Sequence, residues 1–179
     1  MPKVIYMDLS RCVYCRSCEV ACEREHAGRS NMFVQLIDER FAIPVNCRQC
    51  EHSPCVTVCP THAIHREKGS IITISTMNCI GCNLCALACP FGAIWFDERN
   101  KVVRKCDLCL HRFDQGQPPA CVATCSSGAL SFGELSDFLA LGDRTNDHRL
   151  VISRASGNVG TVIALPQGWE QSRPIKKAG

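Results

Sequence analysis

Sixteen of the 179 residues are cysteine, and they fall into four groups of four. The first is Cys12, Cys15, Cys18 and Cys22, and the second is Cys47, Cys50, Cys55 and Cys59. The third is Cys79, Cys82, Cys85 and Cys89, and the fourth is Cys106, Cys109, Cys121 and Cys125. A chain with this pattern must fold so that its sulfurs converge, and three chemistries compete for them. Disulfides fit poorly. Met1-Pro2-Lys3-Val4-Ile5 leads straight into strand-like sequence with no apolar leader, so a cytoplasmic and reducing location is expected. Zinc takes two close cysteines and two more a dozen or so residues on, which only the fourth group would satisfy. Three sulfurs at two-residue gaps, as in groups one and three, overfill such a site. Group three reads Cys79-x2-Cys82-x2-Cys85-x3-Cys89-Pro90, in which three sulfurs wrap one [4Fe–4S] cube and the fourth reaches its neighbour. Four [4Fe–4S] clusters are therefore expected, with a zinc-stapled interaction module as the competing reading.

The cysteines also decide how the rest of the composition is read. They are counted in the 46% hydrophobic fraction, and only 6% of residues are aromatic, so the ordinary core is thin. Metal ligation must then supply folding free energy. The formal charge of +3 treats every thiol as neutral. With sixteen thiolates around four cores of about +2 each, it falls to about −5. The basic residues are scattered among acids, and no nucleic-acid partner is expected. No stretch approaches the roughly 20 apolar residues of a membrane span, so no direct membrane insertion is expected. There is no Walker loop, dinucleotide fingerprint, nucleophile elbow or zinc-protease motif, so no catalytic residue is assigned.

An internal repeat marks the group ends. Cys59-Pro60-Thr61-His62-Ala63-Ile64 matches Cys89-Pro90-Phe91-Gly92-Ala93-Ile94 and, more loosely, Cys125-Ser126-Ser127-Gly128-Ala129-Leu130. Each pairs a last cysteine on a short helical turn with a break and a brief apolar strand. Hairpins are expected from Ile64–Arg66 with Ile71–Ile74 around Lys68-Gly69-Ser70, and from Ala93–Phe96 with Val102–Lys105. Val4–Met7 and Met32–Ile37 also read as strands. After residue 133 the expected elements are a helix over Glu134–Leu141, strands at Val151–Ser153 and Thr161–Leu165, and a mobile tail from Gln171 to Gly179. The fold class is α+β, with short strands and helices stabilised by clusters.

As a set, these motifs resemble the four-cluster ferredoxin-type subunits of molybdenum and tungsten oxidoreductases, the dimethyl sulfoxide reductase and formate dehydrogenase kind. The resemblance covers residues 4 to about 132. It implies two bacterial-type dicluster ferredoxin folds, nested: an outer unit of 1–46 and 98–132, an inner unit of 47–97, and an extension of 133–179. The resemblance also implies the ligand sets, which spacing does not. One is Cys12, Cys15, Cys18 and Cys125, and its neighbour is Cys106, Cys109, Cys121 and Cys22. The inner pair is Cys47, Cys50, Cys55 with Cys89, and Cys79, Cys82, Cys85 with Cys59. The implied role is an electron-transfer subunit, not itself an enzyme, serving a catalytic oxidoreductase subunit. Molybdenum or tungsten enzymes lead as partners, and hydrogenases and carbon monoxide dehydrogenases use related subunits. A free polyferredoxin or a self-associating stack of chains is the alternative. The extension is either a docking arm or a segment packed on its own core.

A few residues outside the ligand sets carry expectations of their own. His62 stands where the repeat elsewhere has Gly92 or Gly128, so a left-handed backbone is expected to be tolerated there with some strain. His26, His52 and His111 lie near cysteine groups, but sixteen cysteines already satisfy four cubes, so hydrogen bonds to cluster sulfur are their expected limit. Arg16, Arg48, Lys105 and Arg112 are candidates to offset cluster charge, with solvated surface as the plain alternative. Trp95 is read as core.

Overall fold

The computed structural model describes residues 3–39, 41–67, 71–134, 136–138, 149–153 and 159–165. The expected turn at Lys68-Gly69-Ser70, half of the expected helix over Glu134–Leu141, and the tail lie outside the described residues. Within them, the chain is a mixed α and β structure of short elements. The longest helix is α1 (Ser17–Glu25), nine residues. The others are single turns: α2 (Pro54–Thr57), α3 (Leu84–Ala88), α4 (Leu110–Phe113) and α5 (Ala120–Ala123). No helix among the described residues is long and apolar enough to cross a membrane.

Three antiparallel hairpins carry the middle of the chain. They pair β2 (Phe33–Ile37) with β3 (Phe41–Val45), β4 (Ile64–Arg66) with β5 (Ile72–Ile74), and β6 (Ile94–Asp97) with β7 (Val102–Lys105). Only β3 lacks a counterpart in the sequence reading. A four-stranded sheet, ordered β8-β1-β10-β9, joins the two ends of the chain. In it β1 (Lys3–Asp8) runs antiparallel to β8 (Leu130–Glu134) and parallel to β10 (Val159–Leu165), which pairs with β9 (Arg149–Ser153).

Side-chain alternation explains why β1 sits inside that sheet. Ile5 and Met7 point into the main core with Leu9, Leu108 and Leu130. Val4 and Tyr6 point the other way, onto Phe138, whose ring stacks on Tyr6 at 4.8 Å. Strand β10 of the extension thus packs on the chain's own first strand, with Ile163 against the main core, and β9 borders β10.

A second core gathers Cys55, Ile64, Ile72, Cys85, Ile94 and Val103. Val103 lies on β7, so the expected boundary at residue 98 falls inside the β6–β7 hairpin. Buried Asp97 locks this hairpin to the first unit. Its carboxylate takes Arg29 at 3.0 Å, while Arg104 donates to His26 O (2.9 Å) and Asn31 Oδ1 (3.2 Å). Trp95 meets Phe33 edge-on at 5.4 Å across the same seam.

Candidate iron–sulfur centre

The local rule that aims the sulfurs is a left-handed residue immediately before the second cysteine of every group. Tyr14 (φ 56°), Gln49 (φ 52°), Gly81 (φ 70°) and Leu108 (φ 58°) hold these four positions. An L-residue pays about 1–2 kcal/mol for that conformation, so four independent occurrences at one spacing mark a shared demand. The demand is to turn a three-residue loop back on itself so that successive cysteines face one concave side. A matching turn follows three group ends, at His62 (φ 53°), Gly92 (φ 58°) and Gly128 (φ 65°). His62 does adopt the glycine-like backbone. Tyr, Gln and Leu carry no residue-type signal for this turn; alignment of the four groups on their second cysteine would expose it.

These loops bring the cysteines together. Cys59, Cys79, Cys82 and Cys85 line one cavity with Ile64 and Val103. Cys47, Cys50, Cys55 and Cys89 line another with Ile72 and Ile94. In the other half, the sulfurs that act on Cys12 are Cys125 and Cys15, and those that act on Cys18 are Cys12 and Cys125. Cys121 feels Cys109 and Cys22, and Cys106 feels Cys121. Two electrostatic influences cross between these groups: Cys47 on Cys106, and Cys18 on Cys121.

Burial pushes Cys18 and Cys109 up to about 12 and Cys55 and Cys85 up to about 11, and it raises Cys106 and Cys121 strongly. Thiolates at such positions need a cation among them. Four converging soft sulfurs in a water-poor cavity are the donor set of an iron–sulfur core, so the residues fit the group. Backbone N–H groups already point at the outer faces of the sulfurs: Asn31 N to Cys22 (3.2 Å), Leu130 N to Cys125 (3.3 Å), Ala93 N to Cys89 and Leu108 N to Cys106 (both 3.4 Å). Such bonds stabilise the more negative, reduced state.

Protons and iron compete for the same sulfurs. Ligation requires thiolates, whereas protons favour thiols, so acid favours release of the metal. Iron retention against a fixed chelator concentration is expected to fall as pH is lowered from about 8 to about 5.5. Loading at the upper end of that range should release close to one proton per cysteine, measured in a pH-stat.

His26 lies beside the cysteines, with the ligand atoms of His26, Asp107 and Cys109 all within 4.8 Å of one another. Its Nδ1 lies 2.8 Å from Cys22 O and its Nε2 3.1 Å from Asp107 Oδ1. The Asp107 bond first, then the Cys22 sulfur, raises its pKa to about 10 and keeps an imidazolium beside that quartet. His111 pairs with Glu25 at the surface, and His52 is exposed. Of the four candidate cations, Arg16 pairs with Glu19 (2.7 Å) in solvent and Arg112 with Glu25 (3.4 Å). Arg48 and Lys105 are buried.

Comparison with known proteins gives a consistent picture. The family model described as a 4Fe-4S dicluster domain matches residues 38–135, which hold the second, third and fourth cysteine groups. The chain is 37% identical over 147 residues to the thiosulfate reductase electron transfer subunit of Salmonella typhi, covering 75% of this chain and 77% of that protein. It is 36% identical to the B subunit of the polysulfide reductase of Wolinella succinogenes, over 73% of this chain and 75% of that one. It is 31% identical to the B subunit of the anaerobic dimethyl sulfoxide reductase of Escherichia coli, over 74% of this chain and 73% of that one.

Proposed function

The chain belongs to the 4Fe-4S dicluster family of electron-transfer subunits, and from that premise we propose that it relays electrons to or from a molybdenum or tungsten oxidoreductase subunit. When bound, each of four [4Fe–4S] clusters takes up and returns one electron. The proposed ligand sets run in a line: Cys59, Cys79, Cys82 and Cys85; then Cys47, Cys50, Cys55 and Cys89; then Cys22, Cys106, Cys109 and Cys121; then Cys12, Cys15, Cys18 and Cys125.

One observation carries the relay reading. Of the sixteen cysteines, only Cys15 and Cys82 are exposed, and they belong to the quartets at opposite ends of that line. The interior quartets bury most of their sulfurs, and Cys47 acts electrostatically on Cys106 across the two halves. A chain that stores electrons has no use for two open ends; one that passes them between two partners does. The nested arrangement of units follows from the same order, since the two inner sets draw only on residues 47–89. The relatives' names support a reductase as the catalytic partner.

Anaerobic purification from the native host tests this. The expected result is a brown complex with about 16 iron per chain, co-purifying with a pterin-containing subunit. A chain that elutes alone with full iron content would remove the subunit reading. Cys82→Ser is expected to lower iron by about a quarter and to alter one of four EPR signals, because each cube holds four irons. Unchanged iron and an unchanged spectrum would exclude Cys82 as a ligand.

A further inference from the structure

Two buried cations without carboxylate partners sit at the join between the two halves. Lys105 is 4% exposed and Arg48 7% exposed, and no carboxylate among the described residues pairs with either. The Lys105 ammonium donates to two backbone carbonyls, Cys106 O at 2.7 Å and Ile72 O. The Arg48 guanidinium has Met7 Sδ at 3.5 Å and the face of Phe91 at 5.9 Å. Its charged neighbours are the sulfurs of Cys47, Cys50 and Cys106, and Lys105 acts on Cys55. Gln49, next to Arg48 in the chain, is fully buried. Its Nε2 donates to Cys106 O (3.2 Å) and its Oε1 accepts from Ile72 N (2.7 Å), tying both halves to one side chain.

A buried cation held only by neutral groups is costly, and a fold keeps it where a counter-charge lies close by. Here the counter-charge is sulfur. Cys47, Cys50 and Cys55 belong to one interior quartet and Cys106 to the other. Four thiolates around a core of about +2 leave about −2, and reduction adds one more negative charge. Positive charge fixed between two such sites favours the electron at both.

We infer that Arg48 and Lys105 are positioning residues for electron transfer, placed to raise the reduction potentials of the two interior clusters together and so keep the step between the halves near level. The inference rests on the relay reading. Passing the electron makes and breaks no bond: one interior site is oxidised as the other is reduced, and neither cation gains or loses a proton.

The test is a potentiometric titration, followed by EPR, of the iron-loaded full chain and of Lys105→Met and Arg48→Gln. Two of four reduction steps are expected to move to lower potential while the two end steps stay put. Lys105→Arg and Arg48→Lys, which keep the charge, should restore the pattern. Four unchanged steps in iron-replete variants, or four steps shifted alike, would overturn the inference. If the charge-removing variants fail to hold iron, retention by the charge-keeping pair supports it, and loss in that pair too overturns it, since shape would then be what the join requires. A wild-type chain with fewer than four redox steps would instead strike at the relay reading.

Discussion

Stripping the iron, by chelator in the presence of an oxidant, is expected to unfold the chain rather than leave a folded apoprotein. The reason lies in what the backbone is asked to do. Eleven non-glycine residues among those described hold a left-handed backbone, at about 1–2 kcal/mol each. Among the described residues, four of the five helices are a single turn, and isolated helices shorter than about 12 residues are marginal even in favourable sequences. Three of the four sheets formed by the described residues are two-stranded, a form that is barely stable alone. Arg48 and Lys105 add buried charge that only anionic sites offset. Sulfur–iron bonds therefore stand in for a hydrophobic core, and binding free energy becomes folding free energy. Far-UV circular dichroism and amide exchange read the outcome. An iron-free chain with a cooperative thermal transition and native-like exchange protection would refute it.

The same dependence explains which parts of the molecule are legible in the sequence. The β4–β5 and β6–β7 hairpins are legible because their apolar runs are local and bounded by turn residues. The left-handed backbone at His62 is legible because Gly92 and Gly128 fill the equivalent place. Strand β3 is hidden by Pro44, which usually argues against a strand. Proline is tolerated there because β3 pairs on one side only, with Val34 opposite Pro44, so the missing N–H leaves no ladder partner stranded. The packing of Val103 beside the second core is not legible, because cysteine spacing says where sulfurs are and nothing about which strand packs beside them. The sheet order β8-β1-β10-β9 depends on pairing between the far ends of the chain, as in Lys3 opposite Glu134, which no local pattern encodes. Gln49 reads as an ordinary polar residue between two cysteines. Only the folded chain shows its amide spanning the join between the halves.

Gly81→Ala is expected to cost one cluster, where Gly92→Ala costs almost none. Both glycines are left-handed, at φ 70° and 58°. Strain alone cannot separate them, and Tyr14, Gln49 and Leu108 show that the turn before a second cysteine accepts a side chain. What separates them is space. A Cβ on Gly81 would lie 2.3 Å from Lys101 O and 3.3 Å from the Phe96 ring, whereas a Cβ on Gly92 meets nothing within 4 Å. Lys101 is itself left-handed in the β6–β7 turn, so its carbonyl cannot swing aside cheaply. The overlap should add about 1–3 kcal/mol to about 1–2 kcal/mol of backbone strain, against strain alone at Gly92. The loop carrying Cys79 and Cys82 would then move off its cavity. Iron and acid-labile sulfide should drop by about a quarter in Gly81→Ala and stay full in Gly92→Ala. Because Cys82 is the open end of the line, electron exchange at that end should fail while the Cys15 end still reduces. Equal iron content in the two variants would mean that the approach of Lys101 to Gly81 does not hold the loop in place.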